Sequence, residues 1–316
     1  MNAVLYFRGS LSSCNYDCPY CPFGKTKDSA ETLAKDRQQA ERFVGWVREQ
    51  AGSGHRLSIF FNPYGEALIH RWYRDAMVEL SHMAHVDKVA IQTNLSARLD
   101  FVKELNPGTA AFWATYHPGQ VSEDRFLAQC LRVREAGVPL SVGSVGLRSA
   151  IPAISCLRAA LPDDVYLWVN AYKDQPNYYS DEDRCALQAI DPYFEINAMD
   201  YESLGKECRA GSSVFYVQGA GLVKRCYKDR GIIGNLYRDG LEGLSYKRAC
   251  RMNVCDCYIG YIHMPHLELS SVYGGGLLER IPVQAGNEKK SRGAALTSVA
   301  FGSMHQRGTA ERGAPS

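Results

Sequence analysis

No stretch of the chain is apolar for long enough to span a bilayer. The amino end, Met1-Asn2-Ala3-Val4-Leu5-Tyr6-Phe7-Arg8, lacks the charged segment, apolar core and cleavage site of a secretory signal. A soluble cytoplasmic protein is therefore expected. Excess charge is missing too. Lys and Arg number 36 against 34 Asp and Glu, and no basic run alternates with aromatics, which argues against a nucleic-acid surface. Nor is a disulfide framework visible. The 11 cysteines bunch, eight of them within 14–21 and 208–257, as metal ligands do in a reducing compartment. Cys130, Cys156 and Cys185 stand singly in helical patterns and read as small buried apolar residues.

The most telling scarcity is of a fourth thiol near the first three. Cys14-Asn15-Tyr16-Asp17-Cys18-Pro19-Tyr20-Cys21 spaces its thiols C-x3-C-x2-C. Structural zinc usually takes four protein ligands, and simple electron-carrying clusters take four thiolates. Three leave one coordination position open, where a metal centre can act on whatever binds it. A zinc knuckle or three buried thiols is the plainer alternative.

Along the chain, apolar runs at Val4–Phe7, Leu57–Phe61, Val89–Thr93, Ala111–Tyr116, Leu140–Val145 and Val165–Val169 read as six strands. Between them, helical spacing appears in Leu33 to Val47, Ile69 to Met83, Leu99 to Leu105, Phe126 to Leu131 and Ile154 to Leu161. Ser122 and Ser180 are placed to cap helices. Strands alternating with helices predict an α/β fold with a parallel sheet and right-handed crossovers, its chemistry at the C-terminal strand ends. Six units rather than eight predict a partial, TIM-like (β/α)6 barrel over 1–195. A small cysteine-rich α+β domain is expected at 200–266, a packing segment at 267–282, and a disordered tail at 283–316, where Gly, Ser, Ala, Lys and Arg dominate.

The C-x3-C-x2-C spacing with Tyr20 in its aromatic slot resembles the signature of the radical SAM superfamily. The resemblance implies that Cys14, Cys18 and Cys21 hold a [4Fe–4S] cluster whose fourth iron binds S-adenosylmethionine. One electron then splits the sulfonium to a 5′-deoxyadenosyl radical. Tyr20 is implied as a cofactor neighbour. Tyr64-Gly65-Glu66 sits where the family has Gly-Gly-Glu, giving Gly65 and Glu66 the amino group, with Tyr replacing the first Gly. By the same resemblance Asn94 and Ser144 fall to the ribose and Arg148 to the carboxylate, and His117 and Tyr172 are placed to meet substrate. Each reads equally as a strand-end polar residue satisfying loop backbone.

Cys208-x12-Gly221-x4-Cys226, then Cys250-x4-Cys255-x-Cys257, resembles the twitch or SPASM appendage of these enzymes. It implies one auxiliary [4Fe–4S] cluster on Cys208, Cys226, Cys255 and Cys257, with Cys250 as alternate or substrate-facing thiol; a structural zinc site would call on the same side chains. The Ser-Cys-Asn-Tyr-Asp-Cys-Pro-Tyr-Cys-Pro-Phe opening and the Thr-Tyr-His-Pro-Gly-Gln turn are similar to a bacterial radical SAM group. That group is encoded beside a second radical SAM protein like coproporphyrinogen oxidase. These likenesses imply hydrogen abstraction from a peptide or small molecule, with a flavodoxin or ferredoxin as reductant and that second protein as partner. A metal-bound scaffold without turnover is the alternative.

Overall fold

The computed structural model describes residues 1–274 and 277–283. Strands β1 (Asn2–Arg8), β2 (Arg56–Phe61), β3 (Val86–Thr93), β4 (Ala110–Tyr116), β5 (Leu140–Val145) and β6 (Leu167–Asn170) lie side by side in chain order. All five pairings among them are parallel. Helices α1 (Ala30–Glu49), α2 (Arg71–Ser81), α3 (Glu123–Glu135) and α4 (Ile151–Ala160) make four of the crossovers. Between β3 and β4 the expected helix is only a 3-10 turn, Asp100–Glu104, because Pro107 and its Asn-Gly flanks end it before a second turn can form. Ser122 and Ser180 cap α3 and α5 (Asp181–Ile190) as read, and Ser29 caps α1 in the same way. Ile69 precedes α2 and is exposed.

Beyond α5 come α6 (Phe194–Ala198), β7 (Tyr201–Glu202), β8 (Val214–Gln218), β9 (Leu222–Lys224), β10 (Ile232–Asn235), α7 (Leu236–Leu244), β11 (Val254–Cys255) and α8 (Ser270–Tyr273). The sheet does not stop at the expected boundary near 195–200. β8 pairs parallel with the free edge of β1, Leu5 opposite Phe215, and β9 and β10 continue antiparallel. The result is one open nine-stranded sheet, ordered β10-β9-β8-β1-β2-β3-β4-β5-β6, beside a two-stranded β7–β11 ribbon. Val214-Phe215-Tyr216-Val217 is apolar at every position and buried on both faces, as an interior parallel strand must be.

Alternation along each strand separates two cores. Leu5, Phe7, Ile59, Phe61, Ile91, Phe112, Val142 and Val169 face the helices. Tyr6, Phe60, Ala90, Trp113, Trp168 and Tyr216 face the other, inner side, where Ile259, Tyr261, Met264, Tyr273 and Leu278 pack onto them. Residues 259–274 and 277–280 thus cover the inner face. Arg280 is buried there, donating to the Tyr261 hydroxyl at 3.0 Å. The expected tail lies, apart from Val283, outside the described residues.

Candidate functional site

The thiol loop hangs from the C-terminal end of β1 between fixed posts. Asp36 of α1, fully buried, accepts from the Leu11 amide (2.8 Å), the Trp72 indole (2.9 Å) and the Tyr73 hydroxyl (3.1 Å). A side chain at Gly9 would run into that carboxylate. Asp28, just before the Ser29 cap, accepts from the amides and hydroxyls of both Ser12 and Ser13 at 2.6 to 2.9 Å. Burial raises the Asp28 pKa, but those four donors outweigh it and hold the carboxyl below its usual range. At the far end, Gly24 bridges back to Ser13 with φ +68°, and a Cβ there would lie 2.6 Å from that of Cys14. Gly65 closes the floor: a Cβ would fall 2.5 Å from the Ser13 carbonyl carbon. Its glycine is therefore required by packing against the loop itself.

The ends of β3 and β4 converge on the thiols. The Asn94 amide donates to Asn15 at 3.1 Å and lies 3.9 Å from the Cys14 sulfur, which the Tyr16 amide also approaches at 3.5 Å. His117 places Nδ1 3.4 Å from the Cys18 sulfur and 2.9 Å from the Tyr20 hydroxyl. Gln120 accepts from the Asp17 amide, and Lys25 donates to the Cys18 carbonyl. Burial is the first cause that raises Cys14 and lifts Cys18 to about 11, and neighbouring thiols of the same trio add to both. Burial also pushes His117 down to about 4, so its ring is neutral at physiological pH.

Other candidate residues are engaged with the surrounding scaffold. Glu66 is buried, and its carboxylate accepts from the Thr93 hydroxyl (2.7 Å), the Asn94 amide (2.6 Å) and the Leu68 amide (3.0 Å). It braces the β2 loop against the end of β3; burial raises its pKa against the pull of those donors. Ser144 shares the helix-facing side of β5 with Val142 and gives its hydroxyl to the Tyr116 carbonyl at 3.0 Å. Side chains alternate along a strand, so Ser144 turns to the helical layer although it lies at a strand end. Arg148 pairs with Asp183 of α5 at 2.7 Å, and Tyr172 packs on Tyr178 while its amide donates to Tyr179. Cys130 is buried, but Cys156 and Cys185 are exposed on the outer faces of α4 and α5, contrary to their reading as buried residues.

The second cysteine group is drawn together. Cys208, Cys226, Cys250, Cys255 and Cys257 all line one small recess between β8, the β7–β11 ribbon and residues 257–264. Arg225 and Lys228 also reach it. Arg225 is buried, fixes the backbone at 248 and 249 through its guanidinium, and faces no carboxylate there. Burial raises Cys208, Cys226 and Cys257, and lifts Cys255 to about 12 with Cys257 and Cys208 adding to it. Thiols that oppose one another's ionisation beside a buried cation suit a positively charged metal–sulfur core, which removes the mutual repulsion. Among the described residues, no three His, Cys, Asp or Glu side chains close tightly enough to cage a single metal ion. Each group offers several thiols, the donor type that iron–sulfur clusters take, on one small surface.

Sequence reasoning missed Asp28, Asp36 and Arg225. Isolated charges in helical or coil stretches read as solvated, and only long-range pairing reveals them.

Among the described residues no helix is long and apolar enough to cross a membrane. No protein-family model matches the chain, and no curated protein does. Solved structures do. The structure of native anSMEcpe with bound AdoMet and a Cp18Cys peptide aligns at TM-score 0.52 and 14% identity, over 77% of this chain and 80% of that one. Native anSMEcpe with bound AdoMet gives 0.51 and 13% over 76% and 80%. BtrN in complex with AdoMet and 2-DOIA gives 0.40 and 16% over 76% and 80%. The chain thus shares the fold of anSMEcpe; in this chain it is a mostly parallel α/β sheet.

Proposed function

We propose that the chain is a radical S-adenosylmethionine enzyme carrying one auxiliary iron–sulfur cluster. The observation that carries this is a single loop at the C-terminal end of the first parallel strand presenting Cys14, Cys18 and Cys21. Cys21 opposes the ionisation of both Cys14 and Cys18, as neighbours on one loop do. Support also comes from the fold shared with a protein solved with bound AdoMet.

Cys14, Cys18 and Cys21 would hold a [4Fe–4S] cluster, which when bound supplies the electron that splits S-adenosylmethionine into methionine and a 5′-deoxyadenosyl radical. The chain's own part is to bind and orient. Tyr20, steadied by His117, presents its ring beside the last thiol. Asn94 offers its amide at Cys14. Oε1 of Glu66 already takes two donors, but Oε2 takes one and keeps a lone pair for an ammonium. Ser144 and Arg148, turned to neighbouring elements, have no part in this proposal.

Cys208, Cys226, Cys255 and Cys257, with Cys250 as alternate, would hold the second cluster in a twitch-like arrangement. An adjoining electron acceptor suits hydrogen abstraction followed by oxidation of a peptide or small molecule, with a flavodoxin or ferredoxin as reductant. Protein reconstituted anaerobically and given dithionite and S-adenosylmethionine should release 5′-deoxyadenosine. If iron and sulfide are bound and none is released, the chain is instead a metal-bound scaffold.

A further inference from the structure

We propose that Arg8 is the anchor for an anionic oxygen group, a carboxylate or a phosphate, on the substrate. This deepens the reading above and rests on it for the word substrate. Arg8 shares the inner side of β1 with Tyr6, one turn of chain before the thiol loop. Its Nε donates to the Asn62 carbonyl at 2.7 Å, and a second nitrogen donates to the Asn62 side chain. Asn62 is itself oriented by donating to Gln92 at 2.8 Å. Two aromatic rings lie against it: the guanidinium carbon is 4.0 Å from the Tyr64 ring centre and 4.9 Å from that of Tyr227. Among the described residues, no ion pair involves Arg8.

A half-buried cation fixed on one edge and flanked by two aromatic rings, yet without an ion pair among the described residues, is a preorganised receptor. Two of its five N–H groups go to Asn62, and the nearby Tyr227 phenol can take one more. At least two donors remain for a planar or tetrahedral oxyanion.

The surroundings place this anchor between the two cysteine groups. Tyr64 stacks on Phe23 at 4.6 Å, two residues beyond Cys21, while Tyr227 adjoins Cys226. On the same inner side, Thr115 Oγ1 and Asn170 Oδ1 are buried with no hydrogen-bond partner. They share the parity of Trp113 and Trp168. The aromatic neighbours and the unpaired guanidinium suit an acid, and Thr115 and Asn170 add unmatched polar atoms on the same side of the sheet.

The test uses the reconstituted holoprotein saturated with S-adenosylmethionine, so that the cofactor's own carboxylate is already placed. Calorimetry then compares benzoate, phenyl phosphate and the neutral isostere benzamide. At least one anion should bind tenfold or more tighter than benzamide, and the tighter of the two assigns carboxylate or phosphate. Arg8→Gln should erase that preference, and Arg8→Lys should keep part of it, retaining charge without the fork. Equal binding of all three probes overturns the proposal, as does a preference that survives in Arg8→Gln. A loss falling on S-adenosylmethionine affinity instead would make Arg8 part of the cofactor grip and also overturn it. If Arg8→Gln does not reconstitute, the wild-type probe series and Arg8→Lys still decide. Failure of the enzyme reading shows separately, as absent 5′-deoxyadenosine with the anion preference intact.

Discussion

Replacing Gly65 by alanine tests whether the thiol loop is positioned by steric packing against the β2 loop. The added Cβ falls 2.5 Å from the Ser13 carbonyl carbon, 3.1 Å from the Ser13 amide and closer still to the carbonyl oxygen. Ordinary carbon contact is about 3.5 Å, so the two backbones must separate by at least about 1 Å. Neither side is free to yield. Ser13 is held by Asp28 through both its amide and its hydroxyl, and the neighbouring Glu66 is locked by three donors. Overpacking of this kind costs about 1–3 kcal/mol. With an m-value of about 3 kcal/mol/M, a 2 kcal/mol loss lowers the urea midpoint by about 0.7 M. Because the strain falls on the residue before Cys14, iron retention should drop in parallel. Gly45→Ala is the control. Gly45 lies inside α1 with nothing within 4 Å of its Cβ position, so alanine should stabilise by about 0.5–1 kcal/mol through helix propensity. A Gly65→Ala protein with the wild-type midpoint and full iron content would refute the reasoning.

Asp36→Ala orphans three donors at once and should cost about 3 kcal/mol or more in urea unfolding; a loss under about 1 kcal/mol would mean that Leu11 and α2 find other partners. Asp191 gives a pH signature. Burial lifts its pKa from 3.8 to about 6 despite donors from Tyr166, Val169 and Tyr193. The folded chain therefore keeps a proton that the unfolded chain has lost between about pH 4 and 6, and stability falls by about 3 kcal/mol as pH rises through that window. Asp191→Asn should remove that component of the slope; an unchanged slope would place the titration elsewhere. Iron and sulfide should each approach about eight per chain, the content of two cubanes. Cys18→Ala and Cys257→Ala should each lose about half of that, but only Cys18→Ala should abolish 5′-deoxyadenosine release. Four irons in the wild type would remove the second cluster from the proposal.

What could be read from the chain was whatever local spacing encodes. The C-x3-C-x2-C run, the apolar segments that became β1 to β6, and the serine caps of α3 and α5 each depend on neighbours within a few residues. What escaped depends on partners far along the chain. β8 is separated from β1 by two hundred residues, and its fully apolar face pair was the sole hint that it belonged inside the main sheet. Ser144 shows a second kind of loss. Its position at a strand end was legible, but its side was fixed only by Val142, two residues earlier, packing toward the helices. The same parity argument, applied to β1, puts Tyr6 and Arg8 on the inner side while Leu5 and Phe7 face outward. Side chains at consecutive strand-end positions therefore divide between bracing the helical layer and facing the covered side of the sheet. Ser144 braces; Arg8, Thr115 and Asn170 face inward. A search for substrate contacts in such a sheet should begin from alternation and only then consider residue type, since a charged or hydroxyl side chain on the outer parity is already satisfied by the scaffold that carries it.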